Sequence, residues 1–171
     1  MKFAGTRPIA RLGLALVAVA ALAGCSMFDD SSKSDTAKAA VGDCISVLEG
    51  STVDSETEPV DCSSEQAVYQ VMQVHDSKTE CKEEYTSYEE TRSGETTAFL
   101  CLAPNFKEGA CYNESTVTGY KSVACTAPEA SFKVTKRIDG EADEFACDTA
   151  AIGFRIVPDP KITFCLGSPQ A

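Results

Sequence analysis

The sequence predicts a β-rich α+β fold, made of two small tandem repeats that are each stapled by disulfides and that follow a flexible tether. Three observations lead there. Eight cysteines follow Cys25, an even number that divides four and four. A segment near the middle of the chain recurs 63 residues later with its cysteine, alanine, aromatic and valine positions intact. Strand-like segments recur at similar places in the two halves.

The amino terminus is read first as a processing signal. Lys2, Arg7 and Arg11 precede an apolar run over residues 12–21, and no acidic residue occurs before Asp29. That run is too short for a membrane span, which needs roughly 20 apolar residues. It leads into Leu22-Ala23-Gly24-Cys25, which resembles the bacterial lipobox. The resemblance implies cleavage before Cys25, a diacylglycerol thioether on its sulfur and commonly a further acyl group on the new amino terminus. No adjacent arginine pair precedes the run, so general export is expected over the twin-arginine route. One acyl chain binds a membrane only marginally at about 0.8 kcal/mol per buried methylene, whereas two or three on one residue hold it durably. The expected location is the outer face of the cell membrane.

Residues 1–24 are thus assigned to the signal and residues 25–40 to the lipidated cysteine and a disordered tether, because 26–40 are small and polar. Residues 41–104 form repeat 1 and residues 105–171 repeat 2. Loss of the three signal cations takes the formal net charge from −11 to about −14. Nucleic acid is excluded as a partner, since it demands a basic patch. A polybasic hold on anionic lipid is excluded for the same reason, so lipid on Cys25 is the expected membrane attachment.

Val60-Asp-Cys62-Ser-Ser-Glu-Gln-Ala67-Val-Tyr69-Gln-Val71 matches Val123-Ala-Cys125-Thr-Ala-Pro-Glu-Ala130-Ser-Phe132-Lys-Val134. With small gaps the match extends to Gly42-Asp43-Cys44 with Gly109-Ala110-Cys111, to Asp76 with Asp139, to Cys81 with Cys147, and to Cys101-Leu102 with Cys165-Leu166. Strands are expected over residues 44–48, 67–74 and 96–102, and over 120–125, 131–138 and 161–166. Residues 80–88 and 147–156 leave room for a short helix in each repeat. Units of about 60 residues bury too little surface to be secure alone, and a disulfide adds roughly 2–4 kcal/mol.

Four cysteines per repeat allow three pairings. If the first two strands form an antiparallel hairpin, Cys44 lies beside Cys62, which favours Cys44–Cys62 with Cys81–Cys101 and likewise Cys111–Cys125 with Cys147–Cys165. The alternative joins Cys44 to Cys101 and Cys62 to Cys81, with the equivalent pairs in repeat 2.

A Gly-x-Cys opening, a Val-x-Cys-x-x-x-x-Ala-x-aromatic-x-Val segment, a third cysteine and a closing Cys-Leu, together with the lipobox, resemble the LppU-type lipoproteins of actinobacteria. The likeness covers residues 41–167, although Ala110 replaces the acidic residue of Gly42-Asp43-Cys44. It implies the envelope of a high-GC Gram-positive cell.

The sequence offers little for catalysis. His75 is the only histidine, and its repeat counterpart is Ile138, a packing residue. No two cysteines stand in the Cys-x-x-Cys spacing of thiol oxidoreductases, and short zinc-ligand spacings are equally missing. The acidic run Asp139-Gly-Glu-Ala-Asp-Glu144 has its glycine in the wrong place for an EF-hand and reads as a solvated turn. Glu83-Glu84 and Glu89-Glu90 are carboxylate pairs of the kind a hydrolase uses. Tyr69, Phe99, Phe132 and Phe164 read as core. No cofactor or metal is expected. The sequence-level expectation is a non-enzymatic interaction module whose partner is an envelope protein or a small amphipathic ligand, with an envelope hydrolase and a structural accessory role as alternatives.

Overall fold

The computed structural model describes residues 33–50, 55–116 and 118–170. The signal, Cys25 and residues 26–32 of the tether lie outside the described residues. Ten strands run in chain order: β1 Cys44–Gly50, β2 Ser55–Val60, β3 Tyr69–His75, β4 Thr86–Arg92, β5 Glu95–Pro104, β6 Cys111–Ser115, β7 Gly119–Val123, β8 Phe132–Asp139, β9 Gly153–Pro158 and β10 Lys161–Gly167. The only helical elements among the described residues are two three-residue 3-10 turns, Thr36–Lys38 and Glu144–Ala146.

The fold class is therefore all-β, and the α+β expectation is overturned. The segments expected to be helical instead run into β4 and β9, the edge strands beside β5 and β10. Residues 80–88 carry helix-forming Glu and Lys, but Cys81 is tied to Cys101 within β5, and Thr86, Ser87 and Tyr88 pair with Leu102, Cys101 and Leu100. Tertiary pairing overrides so weak a local preference.

The repeat is real in three dimensions. The first sheet has strand order β2-β1-β3-β5-β4 and the second β7-β6-β8-β10-β9, the same order with every neighbouring pair antiparallel. One irregularity of the central strands is copied as well. Val71 faces Leu102 and Gln73 faces Cys101, so Met72 is an extra residue; Val134 faces Leu166 and Lys136 faces Cys165, so Thr135 is its equivalent. A bulge at one place in both sheets bends both central strands alike. The entry to each repeat is fixed by a glycine in left-handed conformation. Gly42 donates to the Val71 carbonyl at 2.8 Å and Gly109 to the Val134 carbonyl at 2.7 Å.

The sulfurs are joined as Cys44–Cys62, Cys81–Cys101, Cys111–Cys125 and Cys147–Cys165. This is the pairing that the hairpin geometry favours, since Cys44 faces Val60 and Cys111 faces Val123 across the β1–β2 and β6–β7 hairpins. The second link in each repeat ties the loop after the central strand to the last strand.

The two sheets share one core. Ile45, Tyr69, Val71, Leu100 and Leu102 from the first belong to the same buried cluster as Tyr112, Phe132, Val134, Phe164 and Leu166 from the second. Phe106, in the connection between β5 and β6, is fully buried, with its ring 4.5 Å from Tyr112, 4.8 Å from Tyr120, 5.1 Å from Phe164 and 5.4 Å from Phe132. Asn105 beside it donates to the Ala67 carbonyl at 3.1 Å and accepts from Arg137 at 3.0 Å. The connection between the repeats is thus a buried plug.

The disordered tether expected up to residue 40 needs shortening. Thr36, Ala37 and Ala39 are buried, the Thr57 hydroxyl donates to the Thr36 hydroxyl at 2.9 Å, and the Ser34 amide donates to the Glu90 carboxylate at 3.2 Å. Small side chains let this segment lie flat on the first sheet, so residues 34–39 belong to the folded part.

Candidate functional site

A cleft opens between the two repeats where the β6–β7 hairpin leans over the first sheet. One cavity of about 390 Å³ has Ile45, Val47 and Leu102 on its floor, with Tyr69, Tyr88 and Tyr120 around it. A second of about 350 Å³ shares Tyr69, Thr86 and Tyr120 with the first and adds Glu84, Tyr85, Arg155 and Ile156. Both volumes lie at the lower end of the roughly 300–1,000 Å³ that ligand pockets occupy. The chain has five tyrosines and no tryptophan. Four of the five line this cleft, and the fifth, Tyr112, packs on Phe106.

The walls are held by contacts that run from one repeat to the other. The Tyr120 amide donates to the Tyr69 hydroxyl at 2.7 Å, and the two rings lie 6.2 Å apart. Burial pushes the Tyr69 phenol well above the ordinary tyrosine value, so the hydroxyl stays neutral. Lys82 reaches Asp159 at 2.6 Å, and the Tyr85 hydroxyl donates to the Asp159 carbonyl. Within the second repeat Arg155 grips Glu114 through both carboxylate oxygens, at 2.6 and 2.8 Å, and donates to the Tyr120 hydroxyl at 3.1 Å. The hydrogen bond to Tyr120 first, and then the Glu114 contact, hold the guanidinium above its ordinary value. A bidentate pair of this kind fixes geometry as well as charge.

Gly119 carries the closest approach between the repeats. Its φ is +72°, and a Cβ there would run into the Tyr69 hydroxyl. Gly119→Ala is expected to destabilise the fold by about 2 kcal/mol, from a left-handed alanine at roughly 1–2 kcal/mol plus the clash. Denaturant unfolding in a Tyr69→Phe background checks this: the cost should shrink once the hydroxyl is gone, and an equal cost in both backgrounds would contradict it.

The residues singled out from sequence fall into place around this cleft without forming a catalytic array. His75 ends β3, with its ring nitrogen 3.4 Å from the Gln73 amide oxygen. Glu89 and Glu90 are consecutive on β4 and so point to opposite faces. Glu89 accepts from Lys78 and Thr96, both at 2.8 Å, which lowers its pKa. Burial works against ionisation at Glu90, yet hydrogen bonds from Ser34 and Thr97 outweigh it and leave its pKa lowered too. Glu84 lines the cleft, while Glu83 is exposed. The acidic run at 139–144 is a turn: Asp139 pairs with Arg137 at 2.9 Å, and Asp143 accepts from Phe145 at 2.9 Å and donates its amide to the buried Thr163 hydroxyl at 3.0 Å. No group of three metal-ligating side chains occurs among the described residues. Tyr69, Phe99, Phe132 and Phe164 are buried in the core, and Tyr69 also faces the cleft.

No protein-family model, no curated protein and no solved structure matches this chain. The cleft must be read from its own chemistry. Sequence reasoning missed Tyr88, Tyr120, Glu114 and Arg155, because they lie on four different strands whose convergence no spacing announces. The available signal was compositional, a chain whose larger polar aromatics are all tyrosine.

Proposed function

We propose that this chain is a lipid-anchored protein of the cell envelope, held to the outer face of the membrane through Cys25, and that its inter-repeat cleft is a binding module. The observation that carries the anchor is the cysteine accounting. All eight cysteines after the lipobox are consumed by internal disulfides, which leaves Cys25 with no cysteine of its own chain to pair with. The disulfides themselves suit an oxidising, exported location. The lipobox and the twice-used four-cysteine pattern support placing the chain among the LppU-type lipoproteins of actinobacteria.

The binding role is supported by the cleft. Tyrosine offers a large, rigid, amphipathic contact surface at low conformational cost, and here the rings stand on two cross-linked sheets. A non-catalytic reading is supported by the separate engagement of Glu89 and Glu90 and by the neutralised Glu114–Arg155 pair. The partner is an envelope protein or a small amphipathic ligand.

Metabolic labelling with an alkynyl fatty acid should mark the wild type and leave Cys25→Ala unmarked. An unlabelled wild type would end the anchor reading.

A further inference from the structure

We propose that the cleft binds the uncharged saccharide headgroup of a glycolipid in the membrane that carries the chain. The assignment rests on the anchor and binding role proposed above and narrows them to one ligand chemistry.

Charge comes first. The ionisable acids and bases of the cleft are Glu84, Glu114 and Arg155, and Arg155 is already committed to both oxygens of Glu114. An anionic ligand would meet two carboxylates and no free cation, on a chain whose formal net charge is −11. A cationic ligand would find Glu114 occupied by Arg155 and only Glu84, in the second cavity, left to meet it. A neutral ligand meets no such opposition.

The remaining lining fits a polyol. Thr57, Thr86, Ser87, Ser115, Thr116 and Thr118 bring six side-chain hydroxyls to the first cavity, beside three tyrosine rings. Each hydroxyl both donates and accepts, which is what the hydroxyls of a sugar require, while the negative face of a tyrosine ring suits the C–H face of a pyranose. The Thr86 and Ser87 hydroxyls are exposed and make no hydrogen bond among the described residues. They are therefore available to a ligand.

Position points to a membrane source. The Ser34 hydroxyl lies 3.3 Å from the Tyr88 hydroxyl and Thr36 is bonded to Thr57, so the entering chain is fastened to two side chains of the cleft wall. Ser34 stands nine residues after Cys25. At about 3.3–3.6 Å per extended residue, that span reaches at most about 32 Å. A cleft whose wall is fastened within that distance of the anchor is kept within reach of the headgroups of the same membrane.

Absence of tryptophan makes tyrosine fluorescence a direct probe, since four of five tyrosines line the cleft. The lipidated full-length protein, its label confirmed beforehand, is reconstituted into phosphatidylcholine vesicles containing diglucosyl-diacylglycerol, digalactosyl-diacylglycerol or phosphatidylglycerol. In parallel it is titrated in detergent with glucose, galactose, mannose and maltose. A saturable fluorescence change with at least one glycolipid and none with phosphatidylglycerol is expected. Thr86→Arg, which fills the cleft from an exposed edge position, should weaken that response by about tenfold or more, while Thr149→Arg in an exposed loop of the second repeat should leave it unchanged. No response to either glycolipid overturns the proposal, as does an equal response to phosphatidylglycerol, or binding of free sugars without glycolipid. Failure of the anchor reading shows separately, as loss of the fatty-acid label before any titration.

Discussion

Replacing Phe106 with alanine should lower the unfolding free energy by about 3–5 kcal/mol, the usual cost of truncating a buried phenylalanine. In a domain of this size that is a fall in Tm of roughly 10–20 °C. The reason is the position of the side chain more than its size. Phe106 belongs to neither sheet; it sits in the connection after β5 and touches rings from β6, β7, β8 and β10. Its removal empties the place where the connection between the repeats packs into the second sheet, and Asn105 and Arg137 around it are held by hydrogen bonds that resist collapse into the gap. Calorimetry or denaturant unfolding with tyrosine fluorescence checks the value. A loss below about 1 kcal/mol would mean that the second repeat does not depend on the plug supplied by the connection. Phe145 is the natural contrast, since it is 85% exposed; Phe145→Ala should change stability by no more than about 0.5 kcal/mol.

How much of this was legible in the sequence depends on which side of a sheet a residue serves. The central strands β3, β5, β8 and β10 announce themselves through Val71, Leu100 and Leu102 and through Val134, Phe164 and Leu166, all buried. The repeat could be aligned because its cysteines and glycines are tied to backbone geometry that permits little else. Among the edge strands, β7 matches the strand expected over residues 120–125, but β2, β4 and β9 gave no such signal. β2 reads Ser-Glu-Thr-Glu-Pro-Val and β4 reads Thr-Ser-Tyr-Glu-Glu-Thr-Arg, and neither shows the apolar alternation by which strands are recognised. On β4 the residues lining the cleft are Thr86, Ser87 and Tyr88, and Tyr88 and the nearby Glu90 are engaged by polar contacts to Ser34. A strand covered by hydrogen bonds looks, in sequence, like a solvated loop. The same physics hid the segment around Thr36: its composition predicts disorder, but its alanines and threonine are small enough to be buried by close approach. The cleft was illegible for a different reason. Tyr69 is a core position, as its place in the repeat predicts, and only the leaning of the β6–β7 hairpin over the first sheet gives it a second role.

Reduction of all four disulfides should unfold the protein at ordinary temperature, and this is the largest effect expected of any single treatment. Each link closes a span of 14 to 20 residues, worth roughly 3 kcal/mol by chain entropy. Four together come to about 12 kcal/mol, within the roughly 5–15 kcal/mol by which a native domain is stable at all. A shared core does not make up the difference, because each sheet has edge strands of polar composition that bury little apolar surface. Two links anchor such strands or loops to buried sulfurs, Cys81 to Cys101 and Cys147 to Cys165, and the other two close the β1–β2 and β6–β7 hairpins, which meet the rest of each sheet through only two paired residues. Removing Cys44 and Cys62 together should therefore release the β1–β2 hairpin and with it Ile45, Val47 and Thr57 from the cleft, while Cys111 and Cys125 should release the hairpin that carries Tyr120. Circular dichroism and tyrosine fluorescence after reduction and thiol alkylation would measure the first effect, and persistence of a native signal with all eight thiols blocked would contradict it. Peptide mapping without reduction tests the arrangement itself: Cys44 recovered joined to Cys101 would break the hairpin geometry on which both the fold and the cleft depend.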